Sequence, residues 1–201
     1  MNSKPRIKNL IFDLGGVIIL AERVNFSKFN KKFSLRRGTI EKIVKTCFNK
    51  KMIDKNFDER LFFKENFSRF LSWLDYQKIL EKIHRTERVN KSLLNWIKKK
   101  KREYKIFLLT NNTVALNHLL KEKFKIKNFF DLVFNSAKIG LAKPDSKLFE
   151  YLLEKIGASS KECLFVDDNP KNIKSARNIG FLAILFKNNK EFLVRIQELR
   201  I

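Results

Sequence analysis

The chain has 201 residues, of which 44% are hydrophobic, 12% aromatic and 32% charged, and this composition is typical of a globular protein and excludes a disordered one. Its 44 basic and 21 acidic residues give a formal net charge of +23. The two cysteines, Cys47 and Cys163, are too few for a disulfide scaffold or a cysteine-based zinc site, so we expect a reducing, cytoplasmic location.

The positive charge is spread along the chain. Residues 19–94 hold 19 of the basic residues and the rest of the chain holds 25, whereas a dedicated nucleic-acid arm would concentrate them. We therefore expect that nucleic acid is not the main partner. A phosphatase acting on nucleic-acid ends is kept as an alternative, which a salt titration of oligonucleotide binding would test.

No membrane segment or signal peptide is expected. The longest mostly apolar run, residues 10–21, contains Asp13 and is too short to cross a bilayer. The basic residues 4–8 lead directly into a segment typical of a strand.

The elements predicted in chain order begin with a strand over residues 7–13, followed by two glycines. Residues 22–90 show helical periodicity and no convincing strand. After a basic turn at residues 98–102, strands at 105–110, 131–134, 163–167 and 181–186 alternate with helices at 113–123, 146–156, 170–179 and 191–199. This alternation predicts an α/β fold with a Rossmann-like parallel sheet, formed by residues 1–20 and 95–201. Residues 21–94 form an inserted helical domain.

Polar residues follow several of the predicted strands. They are Asp13, Thr110, Asn111, Asp167 and Asp168, with Lys143 in a loop between the last two strand ends. Ligands of open parallel sheets bind beyond the carboxyl ends of the strands, so these side chains should meet. A carboxylate nucleophile, carboxylates for a divalent cation, and a hydroxyl and an ammonium for phosphoryl oxygens together indicate a phosphoryl-transfer site.

Plainer roles exist for each residue taken alone. Asp13 could form a turn, residues 110–113 could cap a helix, and Lys143 is one lysine among many. The adjacent Asp167 and Asp168 are more specific, because two neighbouring carboxylates repel each other unless a cation or donor relieves them. The two histidines, His84 and His118, are predicted to be surface or core residues.

Four segments resemble the ordered motifs of the haloacid dehalogenase superfamily, and the later ones are similar to its subfamily I phosphatase-like members. They are residues 10–17 (LIFDLGGV), 108–111 (LLTN), 140–145 (GLAKPD) and 165–169 (FVDDN), with similarity continuing to residue 173. The helical insert falls where that subfamily has its cap. The resemblance implies a Rossmann-like core, an all-helical cap, and Mg²⁺-dependent hydrolysis of small phosphorylated metabolites.

The resemblance also implies individual roles for the site residues. Asp13 is the nucleophile that forms an aspartyl-phosphate, and Thr110 and Asn111 bind the phosphoryl group. Lys143 steadies both Asp13 and the phosphoryl group.

The implied metal site consists of Asp13, Asp168 and the backbone carbonyl of Gly15, with help from Asp167. One departure concerns Gly15, because most phosphatases of this superfamily have a second aspartate there as general acid and base. General acid–base catalysis is worth about 10²–10⁴-fold, so we expect weakened chemistry or another acid. Candidates from the cap are Glu22, Asp54 and Asp58.

Two alternative functions remain open. Dehalogenases of the superfamily also lack the second aspartate but need no metal, and the doubled aspartates Asp167 and Asp168 argue against them. A non-catalytic module that binds a phospholigand would keep the site without turnover.

Overall fold

Five of the strands form the central sheet, which we describe from a computed structural model. The structure describes residues 6–22 and 24–201. Residues 1–5 of the predicted core and Arg23 of the predicted insert lie outside the described residues. The strands are β1 (Asn9–Phe12), β2 (Ile19–Leu20), β3 (Arg88–Val89), β4 (Lys105–Thr110), β5 (Leu132–Asn135), β6 (Cys163–Asp167) and β7 (Leu182–Leu185). The order β5-β4-β1-β6-β7 with parallel pairing throughout confirms the predicted α/β fold.

Ten α-helices lie among these strands in the described part of the chain. They are α1 (Phe26–Lys32), α2 (Thr39–Lys51), α3 (Glu59–Phe67), α4 (Trp73–Arg85), α5 (Lys91–Lys100), α6 (Leu116–His118), α7 (Ser136–Ile139), α8 (Ser146–Ile156), α9 (Pro170–Asn178) and α10 (Asn189–Glu198). A π-helical turn, Leu119–Lys123, continues α6, and short 3₁₀ turns lie at Lys127–Phe129 and Ser160–Glu162. Among the described helices, none combines the length and apolar character that a membrane span requires.

The sheet buries both of its faces, which explains its almost continuously apolar strands. Leu10 and Phe12 of β1 belong to one core cluster, together with residues of α5 and α10. Ile11, the residue between them, belongs to the opposite cluster with residues of α8 and α9. Successive side chains of a strand point to opposite faces, so β1 lies at the centre of both cores.

Helices α1 to α4 enclose a separate apolar core. Its buried members are Ile40, Ile43, Cys47, Phe63, Leu71, Tyr76 and Ile79. Helix α5 packs instead on the sheet through Leu93, Leu94 and Ile97. The division at residues 21–94 stays a prediction, and this packing supports a proposed boundary near the start of α5.

The expectation of no strand within residues 22–90 is wrong at Arg88–Val89. These two residues form β3, which pairs antiparallel with β2 where the chain enters and leaves α1 to α4. Asn90 holds this junction, since its backbone N–H donates to the Ile18 carbonyl at 2.8 Å and its side chain donates to the Val17 carbonyl at 3.0 Å. Two-residue strands are too short to show periodicity, and their partners lie far apart in the chain.

The basic turn predicted at residues 98–102 is also partly wrong. Lys98, Lys99 and Lys100 form the last turn of α5. Nothing in this segment breaks a helix, and lysines are favourable at a helix carboxyl end because they offset the negative end of the helix dipole.

Candidate active site

The site lies at the carboxyl edge of the sheet, where β4, β1 and β6 are neighbours. Asp13 immediately follows β1, Thr110 ends β4 and Asp167 ends β6. The Asp13 backbone N–H donates to the Val166 carbonyl at 2.9 Å. This hydrogen bond extends the pairing of β1 with β6 by one residue into the loop. The topology therefore brings the three predicted strand ends together.

Lys143 is the centre of the site. Its side chain is 1% exposed, and Nζ lies 2.8 Å from Oδ1 of Asp13 and 2.7 Å from Oδ2 of Asp167. Nζ also donates to the Leu109 carbonyl at 2.9 Å. Because an ammonium has three protons, these acceptors match its donor capacity and hold the charge in one place.

Asn111 fixes the loop that carries this lysine. Its Nδ2 donates to the Lys143 carbonyl at 2.8 Å, and its Oδ1 accepts from the Lys143 backbone N–H at 2.8 Å. Asn111 lines the same cleft as the other predicted residues. Its side-chain amide nevertheless serves the Lys143 backbone, which makes it a positioning residue in this structure.

Asp167 is fully buried and closely surrounded by donors. Its Oδ2 accepts from Lys143, and its Oδ1 accepts from the Asn169 backbone N–H at 2.8 Å. Asn172 Nδ2 lies 3.0 Å from each of the two oxygens. Sequence reasoning missed Asn172 as a site residue, although it falls within the stretch of resemblance that continues to residue 173.

Three carboxylates gather at this edge. Asp13, Asp167 and Asp168 each offer an oxygen, and the three oxygens lie within 4.8 Å of one another. Burial raises the pKa of Asp13 to about 6, with the Asp167 charge adding to the effect and Lys143 opposing it. Burial and the charge of Asp167 also raise the pKa of Asp168.

The donor chemistry of this cluster fits a hard divalent cation such as Mg²⁺, which prefers carboxylate oxygens. The Lys143 ammonium contacts two of these carboxylates, Asp13 and Asp167, and among the described residues no other ion pair to the three is present, so negative charge remains to be balanced. Gly15 lies beside the cluster in the cleft lining. Its predicted role as a carbonyl ligand stays a prediction.

Gly16 gives Asp168 the space it occupies. Gly16 has a φ of +73°, and a Cβ built on it would overlap the Asp168 carboxyl group. At Gly15, by contrast, none of the described atoms lies within 4 Å of such a Cβ. The two neighbouring glycines therefore form a matched pair for mutagenesis.

We expect Gly16→Ala to weaken metal binding at least tenfold, because the new methyl group displaces Asp168 and the backbone conformation favours glycine. Isothermal titration with Mg²⁺ measures the effect. Gly15→Ala is the control and should bind within about twofold of the original protein. Equal metal affinities for both variants would contradict this account of Asp168.

A cleft of about 310 Å³ extends from these residues to the cap helices. Its lining on the sheet side includes Asp13, Gly15, Thr110, Asn111, Lys143 and Asp168. On the cap side it includes Phe48, Met52, His84 and Glu87. The site is thus formed by two parts of the chain that the sequence separates widely.

The three cap carboxylates considered as substitute acids are not part of the cleft lining among the described residues. Glu22 pairs with Arg88 at 3.2 Å on the surface. Asp54 accepts from the Asn56 backbone N–H at 2.9 Å, and Asp58 caps α3 through the Leu61 N–H at 2.9 Å. The structure therefore supports none of them as the missing acid.

His84 and Glu87 line the cleft instead. His84 is a surface residue, as predicted, with 53% of its side chain exposed, and it also lines the cleft. Nδ1 of His84 lies 3.1 Å from Oε1 of Glu87, and Lys123 contacts Oε2 of Glu87 at 2.5 Å. Burial alone would raise the pKa of Glu87, but hydrogen bonds from His84 and Lys123 hold it below its ordinary value. A proton donor is therefore not expected at Glu87.

The family model for haloacid dehalogenase-like hydrolases matches residues 7–180. The chain therefore belongs to this family of hydrolases. The match includes all four segments that resemble the superfamily's motifs, as well as the inserted helices.

Solved structures show the same fold. A predicted HAD-like family hydrolase from Porphyromonas gingivalis is 24% identical, with a TM-score of 0.75 over 96% of this chain and 98% of that chain. A HAD family enzyme from Bacteroides thetaiotaomicron, in complex with magnesium and inorganic phosphate, is 25% identical. Its TM-score is 0.72, over 91% of this chain and 96% of that chain.

Several curated relatives match over shorter segments of this chain. A sesquiterpene phosphatase of Aspergillus oryzae is 29% identical over 94 residues, which is 47% of this chain and 48% of that protein. The chain covers only 12% and 19% of the lengths of two further curated relatives. These matches therefore concern parts of the relatives.

Proposed function

We propose that the chain is a Mg²⁺-dependent phosphatase of small phosphorylated metabolites. The observation that carries the proposal is the Asp13 carboxylate, held 2.8 Å from the buried Lys143 ammonium beside two more carboxylates. Support also comes from the Bacteroides thetaiotaomicron structure, which contains magnesium and inorganic phosphate, and from the sesquiterpene phosphatase.

In the proposed reaction, an oxygen of Asp13 forms a bond to phosphorus while the bond from phosphorus to the leaving oxygen breaks. The leaving oxygen takes a proton from water, and a second water molecule then hydrolyses the aspartyl-phosphate to inorganic phosphate and restores Asp13. Lys143 orients the attacking carboxylate, and Thr110, at the end of β4, binds the phosphoryl group. Asn111 keeps Lys143 in place through its two backbone hydrogen bonds.

The proposed metal ligands are Asp13, Asp168 and the Gly15 carbonyl, with Asp167 in support. When bound, Mg²⁺ would offset negative charge on the transferring phosphoryl group. Asp167 already accepts hydrogen bonds from Lys143, Asn169 and Asn172, so we assign it mainly to orienting Lys143 and shaping the cluster.

A metal requirement tests this proposal. We expect turnover of a panel of phosphomonoesters with Mg²⁺, loss of that turnover in excess EDTA, and recovery when Mg²⁺ is added back. Phosphate release measures each step. Phosphate release that persists in EDTA would contradict the metal requirement of the proposal. Halide release from a 2-haloacid in EDTA would favour metal-independent dehalogenation, and phosphate binding without multiple turnover would favour the non-catalytic module.

The glycine at position 15 should make the rate sensitive to the leaving group. Without an aspartate there, we expect fair turnover of aryl phosphates and poor turnover of simple sugar or polyol phosphates. Gly15→Asp should narrow this gap, because a side chain at Gly15 meets open space among the described atoms. General acid catalysis is worth about 10²–10⁴-fold, so the gain in rate should not exceed this range.

Steady-state rates against a series of leaving groups measure the effect, with Gly15→Asn as the control that adds size without an acid. Equal rates for good and poor leaving groups, with chemistry limiting and no gain in Gly15→Asp, would contradict the expectation.

A further inference from the structure

The cleft is polar at the sheet edge and largely apolar elsewhere, apart from His84 and Glu87 on the cap side. The charged and polar groups of the proposed phosphate site lie at the sheet edge, around Asp13 and Lys143. Much of the remaining lining is apolar and consists of Leu14, Ile19, Phe48, Met52, Leu119 and Phe124. Apolar side chains therefore line the same cleft as the proposed phosphate site.

Two of these residues come from the cap. Phe48, on α2, is 42% exposed although it is a large apolar residue. Met52 follows the end of α2, and its backbone carbonyl accepts from the buried Ser136 hydroxyl at 2.7 Å. The Asn112 backbone N–H donates to the same hydroxyl at 3.1 Å. Ser136 thus links this part of the cap to the loop that follows β4.

Two others belong to the π-helical turn of the core, which Leu119 begins and Phe124 follows. The Phe124 backbone N–H donates to the Leu119 carbonyl at 2.9 Å, across five residues. Within this turn, Lys123 donates to the His84 carbonyl at 3.1 Å and pairs with Glu87. These contacts hold Leu119 and Phe124 beside the cap junction. They also balance the charge of Glu87, the one acidic residue that the cap contributes to the described lining.

From this lining we infer that the site selects phosphomonoesters whose leaving group is apolar, such as an alkyl, prenyl or aryl alcohol. The inference rests on the proposed phosphatase function. An apolar group gains free energy by leaving water for these side chains. The hydroxyls of a sugar would lose hydrogen bonds to water at the same side chains, which offer them no partner.

Inhibition by phosphonates tests the inference separately from leaving-group chemistry, because their carbon–phosphorus bond is not hydrolysed in the reaction. The assay is hydrolysis of 4-nitrophenyl phosphate with Mg²⁺, inhibited by n-alkylphosphonates from methyl to hexyl. We expect the inhibition constant to fall by up to about threefold to fourfold per methylene, and at least tenfold over the series. Dihydroxypropylphosphonate should bind no better than methylphosphonate.

Cap variants identify the surface responsible. Phe48→Asn should weaken hexylphosphonate about tenfold and leave methylphosphonate within about twofold. Leu74→Asn is the matched control, because Leu74 is 60% exposed on α4 and outside the cleft lining. Met52→Gln, a change of similar volume, is a second variant expected to act in the same direction. Circular dichroism confirms that each variant is folded.

The outcomes separate the two proposals. No hydrolysis of 4-nitrophenyl phosphate in the presence of Mg²⁺ would overturn the proposed function and this inference with it. Hydrolysis with inhibition constants that do not change with chain length would overturn only the inference. A chain-length effect that survives Phe48→Asn and Met52→Gln would also overturn it, since the apolar contact would then lie elsewhere.

Discussion

Asp13→Asn should lower turnover by about 10⁴-fold or more, to the background of the assay, without unfolding the chain. The amide keeps the shape of the carboxyl group but removes the proposed nucleophile. Phosphate release from 4-nitrophenyl phosphate with Mg²⁺ measures the loss. A variant that retained more than a few per cent of activity would show that another group attacks phosphorus.

Thermal unfolding provides the control for Asp13→Asn. Burial raises the pKa of Asp13 to about 6 in the metal-free protein, so its ionised form costs stability above that pH. The neutral asparagine avoids this cost, and the melting temperature at pH 8 without Mg²⁺ should stay the same or rise. With Mg²⁺ present, only the original protein should gain the full stabilisation from metal binding.

Lys143→Met should lower turnover by about 10²–10³-fold, the range found when a preorganised charge-stabilising donor is removed. Unlike Asp13→Asn, it should also lower the free energy of unfolding, by about 3–5 kcal/mol, because it leaves buried carboxylates without their cation. Steady-state kinetics and chemical denaturation measure the two effects. Activity within tenfold of the original would contradict the role of Lys143.

Two comparisons distinguish lost charge from lost packing. Methionine is similar to lysine in length, so Lys143→Met and Lys143→Ala should destabilise by similar amounts if the charge dominates. Adding Asp13→Asn to Lys143→Met should restore part of the stability, because one of the two carboxylates that contact Nζ is then neutral. If the change in the free energy of unfolding of the double variant equals the sum of the changes in the two single variants, Lys143 stabilises the protein through packing and not through its charge.

The sequence by itself determined the sheet and the residues at its edge. Buried parallel strands read as short apolar runs, and several are followed directly by a polar residue, as β1 is by Asp13 and β6 by Asp168. Helix α8 was predictable to the residue, because Asp145 caps its start and Gly157, with a φ of +62°, ends it. The residues that indicate a strand or a helix end lie within a few positions of that element in the sequence.

Only the tertiary structure decided which side chains serve the site. The hydrogen bonds of Asn111 to the Lys143 backbone and of Asn172 to Asp167 depend on distances between loops, which sequence spacing does not contain. The cap residues of the cleft, Phe48 and His84 among them, were predictable only as members of helices. Which faces of those helices meet the sheet edge depends on the β2–β3 pairing and on the Ser136 hydrogen bond to the cap. These contacts join residues that lie far apart in the sequence. Helical periodicity indicates which face of a helix packs within the cap, but it does not indicate how the cap contacts the core.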